Sequence, residues 1–276
     1  MKTLHFCSGL PRSGSTVLMN VLQQNPDIFT TTTDPLPFIL HKKILVRSRY
    51  NEQTQAMDQY QANAAYRGLV RGGAQGWYEG LTEKSTVISK GRNWGDLHHL
   101  FPESKILVVV RDLRDIVESF DRVNTRLDTL SSLNNNDVLY NSMPTEQKFS
   151  YYFDEDSSLK VALFAEVKKY MRLFPDNRHK IKFVRYEDFI KDPIQMLHNI
   201  YDFLDLEYYE HDLNNIQQSA MFEHDGAYFS EKTDHKTHPK LFEWKEPTRV
   251  LGDEFHKNVI ERNQWFYQGF YPEVIL

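Results

Sequence analysis

The sequence predicts an α/β fold: a P-loop-type parallel β-sheet flanked by helices on both faces. Three observations carry that prediction. Apolar runs of strand length alternate along the chain with segments of helical spacing, the order that a parallel sheet with crossover helices produces. One run, "SKILVVVRD" at 104–112, is continuously apolar, as suits a strand covered on both faces. The chain also opens strand, glycine-rich turn, helix, which is the setting a phosphate-holding loop requires.

The elements follow in order. Thr3 to Ser8 reads as the first strand. From Ser13 to Gln24, Val17, Leu18, Val21 and Leu22 recur at helical spacing, and "NPD" at 25–27 stops them. Thr30 to Thr33 favour extended backbone, and Pro35 and Pro37 block an immediate helix. A helical, polar pattern spans about 38–71, enough for two surface helices. Ser85 to Lys90 is a second strand, "WGDLHHLF" a short helix, and Ser104 to Asp112 the central strand, with a helix from Leu113 to about Asp128 behind it. After a polar loop come a helix at Ser157 to Phe174, a strand in "KIKFVRYED", and a helix in "PIQMLHNIYDFLDL". Residues 220–250 lack periodicity and read as a long loop over a site. A last helix runs from about Asp253 to Tyr267.

The 276 residues, 40% hydrophobic and 26% charged, suit one domain spanning 1–276 with its own core. A net charge of −5 argues against a general nucleic-acid binder. The one cysteine, Cys7, permits neither an intramolecular disulfide nor a cysteine zinc cluster. No apolar run reaches the length of a membrane span, and the N-terminus runs directly into the first loop without a signal-peptide core. A reducing, cytoplasmic setting is the expectation, and a homodimer stays open.

The chemistry starts at "GLPRSGST", Gly9 to Thr16. It keeps the glycines and the final Thr of the P-loop pattern but has Ser15 where the lysine belongs. Glycines let backbone N–H groups converge on an anion at a helix N-terminus. Ser13, Ser15 and Thr16 can add hydroxyls, and Arg12 adds a fixed cation. A triphosphate with Mg²⁺ would want the missing lysine and a strand-end Asp. The central strand ends in Arg111 instead. The motif can also be a tight Gly-Pro turn with capping serines. Arg111 with Ser119, in "VRDLRDIVES", offers a second anion site beyond a strand end. By helical rise alone Ser119 lies roughly 12 Å further along, so the two meet only if the turn folds back. Arg111 can instead pair with Asp112 or Asp115.

Two anion sites without a metal motif suggest a nucleotide bisphosphate. "SGLPRSGSTVL" and "KILVVVRDLRDIVESF" resemble the 5′-phosphosulfate loop and the 3′-phosphate site of sulfotransferases that use 3′-phosphoadenylyl sulfate (PAPS). The likeness is greatest to the tyrosylprotein sulfotransferases, with their "VPRSGTT" loop, and it continues through "ISKGRNWGDLHHLFPESK", "VRYEDFIKDP" and "YDFLDL". The resemblance implies that Ser13, Gly14, Ser15 and Thr16 hold the 5′-phosphate with Pro11 beside the co-substrate, that Arg12 meets the sulfuryl group or bridging oxygen, and that Arg111 and Ser119 hold the 3′-phosphate. It further implies Tyr186 at the nucleotide, Lys90 at the scissile bond, and Ser230 with Lys232, Lys236 or Lys240 in a late loop closing over the co-substrate. Lys90 read alone is a solvated strand-end lysine.

The implied reaction moves a sulfuryl group to a hydroxyl acceptor and releases adenosine 3′,5′-bisphosphate. A singly charged sulfuryl group lets side-chain cations replace Mg²⁺. The acceptor proton needs a base. The tyrosylprotein enzymes place a Glu pair there; this chain has "PDIFTTTTDPLP", with Thr33 in ungapped register, Asp34 next to it as the candidate, and His41 behind. Asp34 before Pro35 can equally be a turn residue. Rival readings are a P-loop small-molecule kinase with an altered loop and a non-catalytic nucleotide-binding protein. His98 with His99, and His224, His235 and His238, lack metal-ligand spacing. Trp94, Trp244 and Trp265 read as packing, with Trp244 also able to line an acceptor cleft.

Overall fold

The structure, a computed structural model, describes residues 1–31, 33–40, 58–91, 94–130, 143–144, 147–148, 158–217, 239–241, 243–245 and 247–275. Five parallel strands form one sheet: β1 (Thr3–Gly9), β2 (Ile28–Thr30), β3 (Thr86–Lys90), β4 (Ile106–Val110) and β5 (Ile181–Arg185). Their order across the sheet is β2-β3-β1-β4-β5. Every pair is parallel, with Phe6 opposite both Ser89 and Ile106, and Val110 opposite Arg185.

Strand alternation builds two cores. Phe6, Val108 and Val110 point into one layer, while their neighbours Cys7, Leu107 and Val109 point into the other. The second layer is covered by α1 (Ser15–Leu22), α7 (Tyr186–Lys191) and α8 (Pro193–Leu204), through residues such as Leu18, Phe189 and Ile200. The first is covered by α3 (Gln59–Leu81), α4 (Trp94–Leu97), α5 (Leu113–Leu130), α6 (Ser158–Leu173), α9 (Asp253–Arg262) and α10 (Gln264–Phe270). A short α2 (Leu36–Ile39) follows β2, and α11 (Pro272–Ile275) ends the described chain. Ile106–Val110 is buried throughout, as its unbroken apolar run requires. Trp94 stacks on Phe6 at 3.9 Å between centroids, so it is packing, as the sequence suggests.

Three boundaries differ from the sequence reading. "KIKFVRYED" is not one strand: β5 stops at Arg185 and α7 begins at Tyr186. Glu187 and Asp188 then occupy a first helical turn, where carboxylates are favoured. The last helix breaks at Asn263, whose amide donates back to Val259 O at 2.8 Å. Of the pattern over 38–71, residues 41–57 lie outside the described residues; its later part belongs to α3, which starts at Gln59 with an Asp58 cap and runs on to Leu81. Much of the loop at 220–250 lies outside the described residues.

The sheet sits beside a polar layer that fastens the C-terminal segment to α5. Glu118, 1% exposed, accepts from the backbone N–H of Val250 at 2.7 Å and of Leu251 at 2.9 Å through one oxygen. His256 Nε2 lies 3.0 Å from the same oxygen. Glu118→Ala would strand two backbone donors in a buried place. It is expected to cost about 3 kcal/mol and lower the melting temperature on the order of 6–10 °C, read by calorimetry.

Candidate active site

The glycine turn leaves β1, which takes the middle of the sheet, and Arg111 leaves β4, the strand read as central from its apolar run but standing one place over, so both stand at the carboxyl edge where α/β sheets hold ligands. The turn requires its glycines. Gly9 has φ 138°, and a Cβ there would lie 2.1 Å from Val109 O. Gly14 has φ 84°, caps α1, and abuts the Tyr186 ring, 2.3 Å from where its Cβ would be. Arg12 is a non-glycine residue in left-handed backbone, φ 60°, a conformation sustained only where the surroundings hold it. Ser13 Oγ donates to Leu10 O at 2.6 Å, so its hydroxyl closes the turn and faces inward. The first N–H groups of α1 have no intrahelical acceptor by geometry and point to this edge.

Arg111 and Ser119 meet at the same place, through Arg12. Arg12 Nε donates to Ser119 Oγ at 3.0 Å, and Arg111 Nη1 donates to Arg12 O at 3.2 Å. The Arg111 guanidinium lies 4.5 Å from the centroid of Tyr186. Arg111 makes no hydrogen bond to the adjacent acids, although its charge opposes the rise that burial gives the Asp115 pKa. Asp112 accepts from Arg114 Nε at 3.0 Å and from Tyr267 OH at 2.9 Å, and Asp115 accepts from Arg249 Nε at 3.1 Å. Arg111 Nε is buried with no acceptor among the described residues.

Lys90 ends β3 and reaches the loop from the other side, its Nζ donating to Thr16 Oγ1 at 2.8 Å. Burial pushes its pKa down to about 8, with Cys7 opposing. Asp34 is 6% exposed. Its Oδ1 accepts from Leu36 N at 2.9 Å, and its Oδ2 accepts from Tyr78 OH and Ser89 Oγ, each at 2.6 Å. Three donors therefore fill most of the capacity that a base would offer an acceptor hydroxyl.

A fixed cation cluster, a glycine loop at a helix N-terminus and a lysine on the neighbouring strand is the arrangement expected for transfer of an anionic group. A family model described as "Sulfotransferase family" matches residues 5–210, and this stretch contains all of these groups. The chain belongs to the sulfotransferase family. The search of curated proteins finds no match. Among solved structures, the sulfotransferase domain from the curacin biosynthetic pathway is 15% identical, with 96% of this chain and 98% of that chain covered and a TM-score of 0.54. The sulfotransferase domain of the Synechococcus PCC 7002 olefin synthase is 20% identical over 95% of each chain, TM-score 0.48. A mouse sulfotransferase complexed with PAP is 16% identical, with 76% of this chain and 61% of that chain covered, TM-score 0.45. The first of these likenesses, to the curacin-pathway domain, concerns the fold.

The remaining expected residues of this sulfotransferase divide. Pro11 and Ser15 lie in the turn and at the start of α1. Ser230, Lys232 and Lys236 lie outside the described residues, as do His41, His224, His235 and His238. Lys240 is exposed, in a segment whose backbone bonds to the 213–216 stretch: Leu241 N donates to Leu213 O at 2.8 Å. Among the described residues no hydrogen bond joins Lys240 to the glycine loop, so the late-loop expectation gains nothing from it. Trp244 lies under Lys191 at 4.7 Å and packs on the second core. No group of His, Cys, Asp or Glu among the described residues is arranged to hold a metal ion, and no described helix is long and apolar enough to cross a membrane.

Sequence reasoning missed the supports of this site. Glu187 accepts from Asp112 N at 3.0 Å and from Tyr271 OH at 2.7 Å, clamping the turn after Arg111 to α7. Arg249 occupies the acid that would otherwise draw Arg111 away. The adjacency of Glu187 to Tyr186 was the available signal for the first; Arg249 carried none, because its partner is 134 positions distant.

Proposed function

We propose that the protein transfers the sulfuryl group of 3′-phosphoadenylyl sulfate to a hydroxyl acceptor and releases adenosine 3′,5′-bisphosphate, as one domain spanning 1–276. The observation that carries this reading is the buried Nε of Arg111, which finds no acceptor while its neighbouring acids are paired elsewhere. A buried guanidinium donor left open at a strand end calls for an anion. The loop N–H groups of residues 14–16 supply a second anion site next to it. The nucleotide supplies an activated sulfuryl group and a stable phosphate leaving group.

The chain's own residues do the rest. Arg111 and Ser119 bind the 3′-phosphate, with Tyr186 backing the guanidinium. Residues 13–16 bind the 5′-phosphate. Arg12 and Lys90 face the bond that breaks and balance the charge gathering on the leaving oxygen, in place of a divalent ion. As the acceptor oxygen bonds to sulfur, the bond from sulfur to the 5′-phosphate oxygen breaks and the acceptor's proton passes to solvent water, since Asp34 is buried with its oxygens engaged; His41 lies outside the described residues. Arg12 bonds Ser119, so a side-chain contact joins the two halves of the nucleotide site. Cys7 is buried inside β1, so nothing in this reading needs a disulfide, and we place the activity in the cytoplasm.

A thermal-shift titration tests the reading without an acceptor. Adenosine 3′,5′-bisphosphate at about 100 times its dissociation constant is expected to add about 2.7 kcal/mol of stability, and ATP with Mg²⁺ at equal concentration much less. A larger shift with ATP–Mg²⁺ would favour a kinase and overturn the assignment. Incubation with labelled PAPS across peptide, carbohydrate and small-alcohol acceptors then identifies the acceptor class.

A further inference from the structure

The roles above leave the buried cluster of Asp34, Tyr78 and Ser89 without a task. We propose that these three side chains form a positioning unit that fixes the end of β3 and aims Lys90 at Thr16 and the glycine loop, with Asp34 acting through geometry instead of taking the acceptor's proton. The proposal rests on the transfer reading only in giving Lys90 its place at the leaving group.

Alternation along β3 sets the geometry. Ser89 and Lys90 are consecutive, so they face opposite sides of the sheet. Ser89 points toward Tyr78 and Asp34, and Lys90 points toward Thr16 on α1. The Asp34 carboxylate therefore lies on the side away from the Lys90 ammonium, yet its backbone grips the same residue: Asp34 N donates to Lys90 O at 2.9 Å. Thr31 Oγ1 accepts from Lys90 N at 2.8 Å. Both backbone groups of the lysine are thus held, one by Thr31 and one by Asp34, and Asp34 is tied to α3 through Tyr78. The fit is close: a Cβ at Gly91 would lie 2.6 Å from Pro37 Cγ and 3.3 Å from Asp34 O.

The cluster is suited to holding and poorly suited to proton transfer. Burial and the Asp34 charge raise the Tyr78 pKa, so its hydroxyl keeps its proton and donates. Tyr78 is 0% exposed, and its removal would leave the carboxylate short of a donor it cannot replace from solvent. Among the described residues, the groups facing Lys90 are Thr16 on α1, Cys7 on β1, the Thr31 hydroxyl and the Asp34 backbone N–H. Only Cys7 titrates, and burial pushes its thiol up to about 12, so Lys90 reports on its own packing below that pH.

The test reads Lys90 directly. Its amine reactivity toward an acylating probe is followed by mass spectrometry as a function of pH in the whole protein, alongside kcat and the dissociation constant of adenosine 3′,5′-bisphosphate. Tyr78→Phe and the milder Ser89→Ala are each expected to raise the Lys90 titration midpoint by about one pH unit as water reaches the loosened strand end. They are also expected to lower kcat about tenfold, with nucleotide affinity within about twofold. Asp34→Asn, which keeps an acceptor for Leu36 N, should show the same pair of effects. Should kcat fall in Asp34→Asn while the Lys90 midpoint stays in place, Asp34 acts chemically and the proposal is overturned. Unmoved midpoints in all three folded variants overturn it as well. Lys90→Met separates the two readings: if that variant keeps full kcat, the placement of Lys90 at the leaving group fails, while the midpoint shifts still decide the positioning unit.

Discussion

Replacing Lys90 by methionine is expected to lower kcat on the order of 10²–10³-fold while making the protein more stable. The rate effect follows from the loss of a fixed cation, bonded to Thr16 at the helix N-terminus, where negative charge develops on the leaving oxygen. The stability effect follows from burial. The folded pKa of about 8 lies below the 10.5 of an ordinary lysine. Below pH 8 folded and unfolded chains both hold the proton, and the folded state carries the cost of a buried charge. Between 8 and 10.5 the unfolded chain binds more protons, so the wild-type protein gains stability as pH rises through that window. At neutral pH, Lys90→Met removes the cost, a gain on the order of 1–3 kcal/mol. Turnover gives the complementary sign: wild-type kcat should decline above about pH 8 as Lys90 loses its proton, and the residual activity of the variant should lack that limb. Rate–pH profiles and melting curves of the two proteins check both halves. An alkaline limb that persists in the variant would assign it to another group.

Arg111→Ala is expected to weaken binding of adenosine 3′,5′-bisphosphate about 10²-fold, equivalent to about 2.7 kcal/mol. Arg111 also supports Arg12 O and stacks on Tyr186, so some loss should extend to adenosine 5′-monophosphate. The ratio of the two affinities is the diagnostic. In the wild type the bisphosphate should bind far more tightly than the monophosphate, and in Arg111→Ala the ratio should approach one. Arg111→Lys keeps the charge but loses the planar fork that spans Arg12 O and the ligand, so it should recover less than half of the lost free energy. Calorimetric titration measures all of these. Equal losses for the mono- and bisphosphate would place the 3′ group elsewhere.

The legible parts of this protein are those whose physics is local. The strand–turn–helix at Gly9–Thr16 could be read because positive-φ positions demand glycine and a helix N-terminus demands an anion or a cap. Ile106–Val110 could be read because five buried residues in parallel pairing leave no polar alternation. Boundaries failed where a distant group took over. β5 gives way to α7 at Tyr186 because Glu187 is drawn to the Asp112 backbone, 75 positions away, which no window around "VRYED" contains. The turn that brings Ser119 to Arg111 was open in the sequence, and Arg12 is the residue that closes it. Asp34 stands one residue past the ungapped register, beside a proline. Its carboxylate is engaged by Tyr78 and Ser89, 44 and 55 residues away, and that pairing depends on α3 packing into the same core as β3.

The chain's own order of residues determined the α/β class, the glycine turn and the identity of its three cations, because backbone conformation, hydrophobic period and side-chain charge are local properties. Tertiary structure alone decided which acids neutralise which arginines, and so which guanidinium stays open for a ligand. It also decided which face of β3 carries the lysine and which carries the buried carboxylate. Those outcomes depend on pairings between residues from about 40 to more than 130 positions apart, and hydrogen bonds at about 3 Å are set by packing, which no linear spacing encodes.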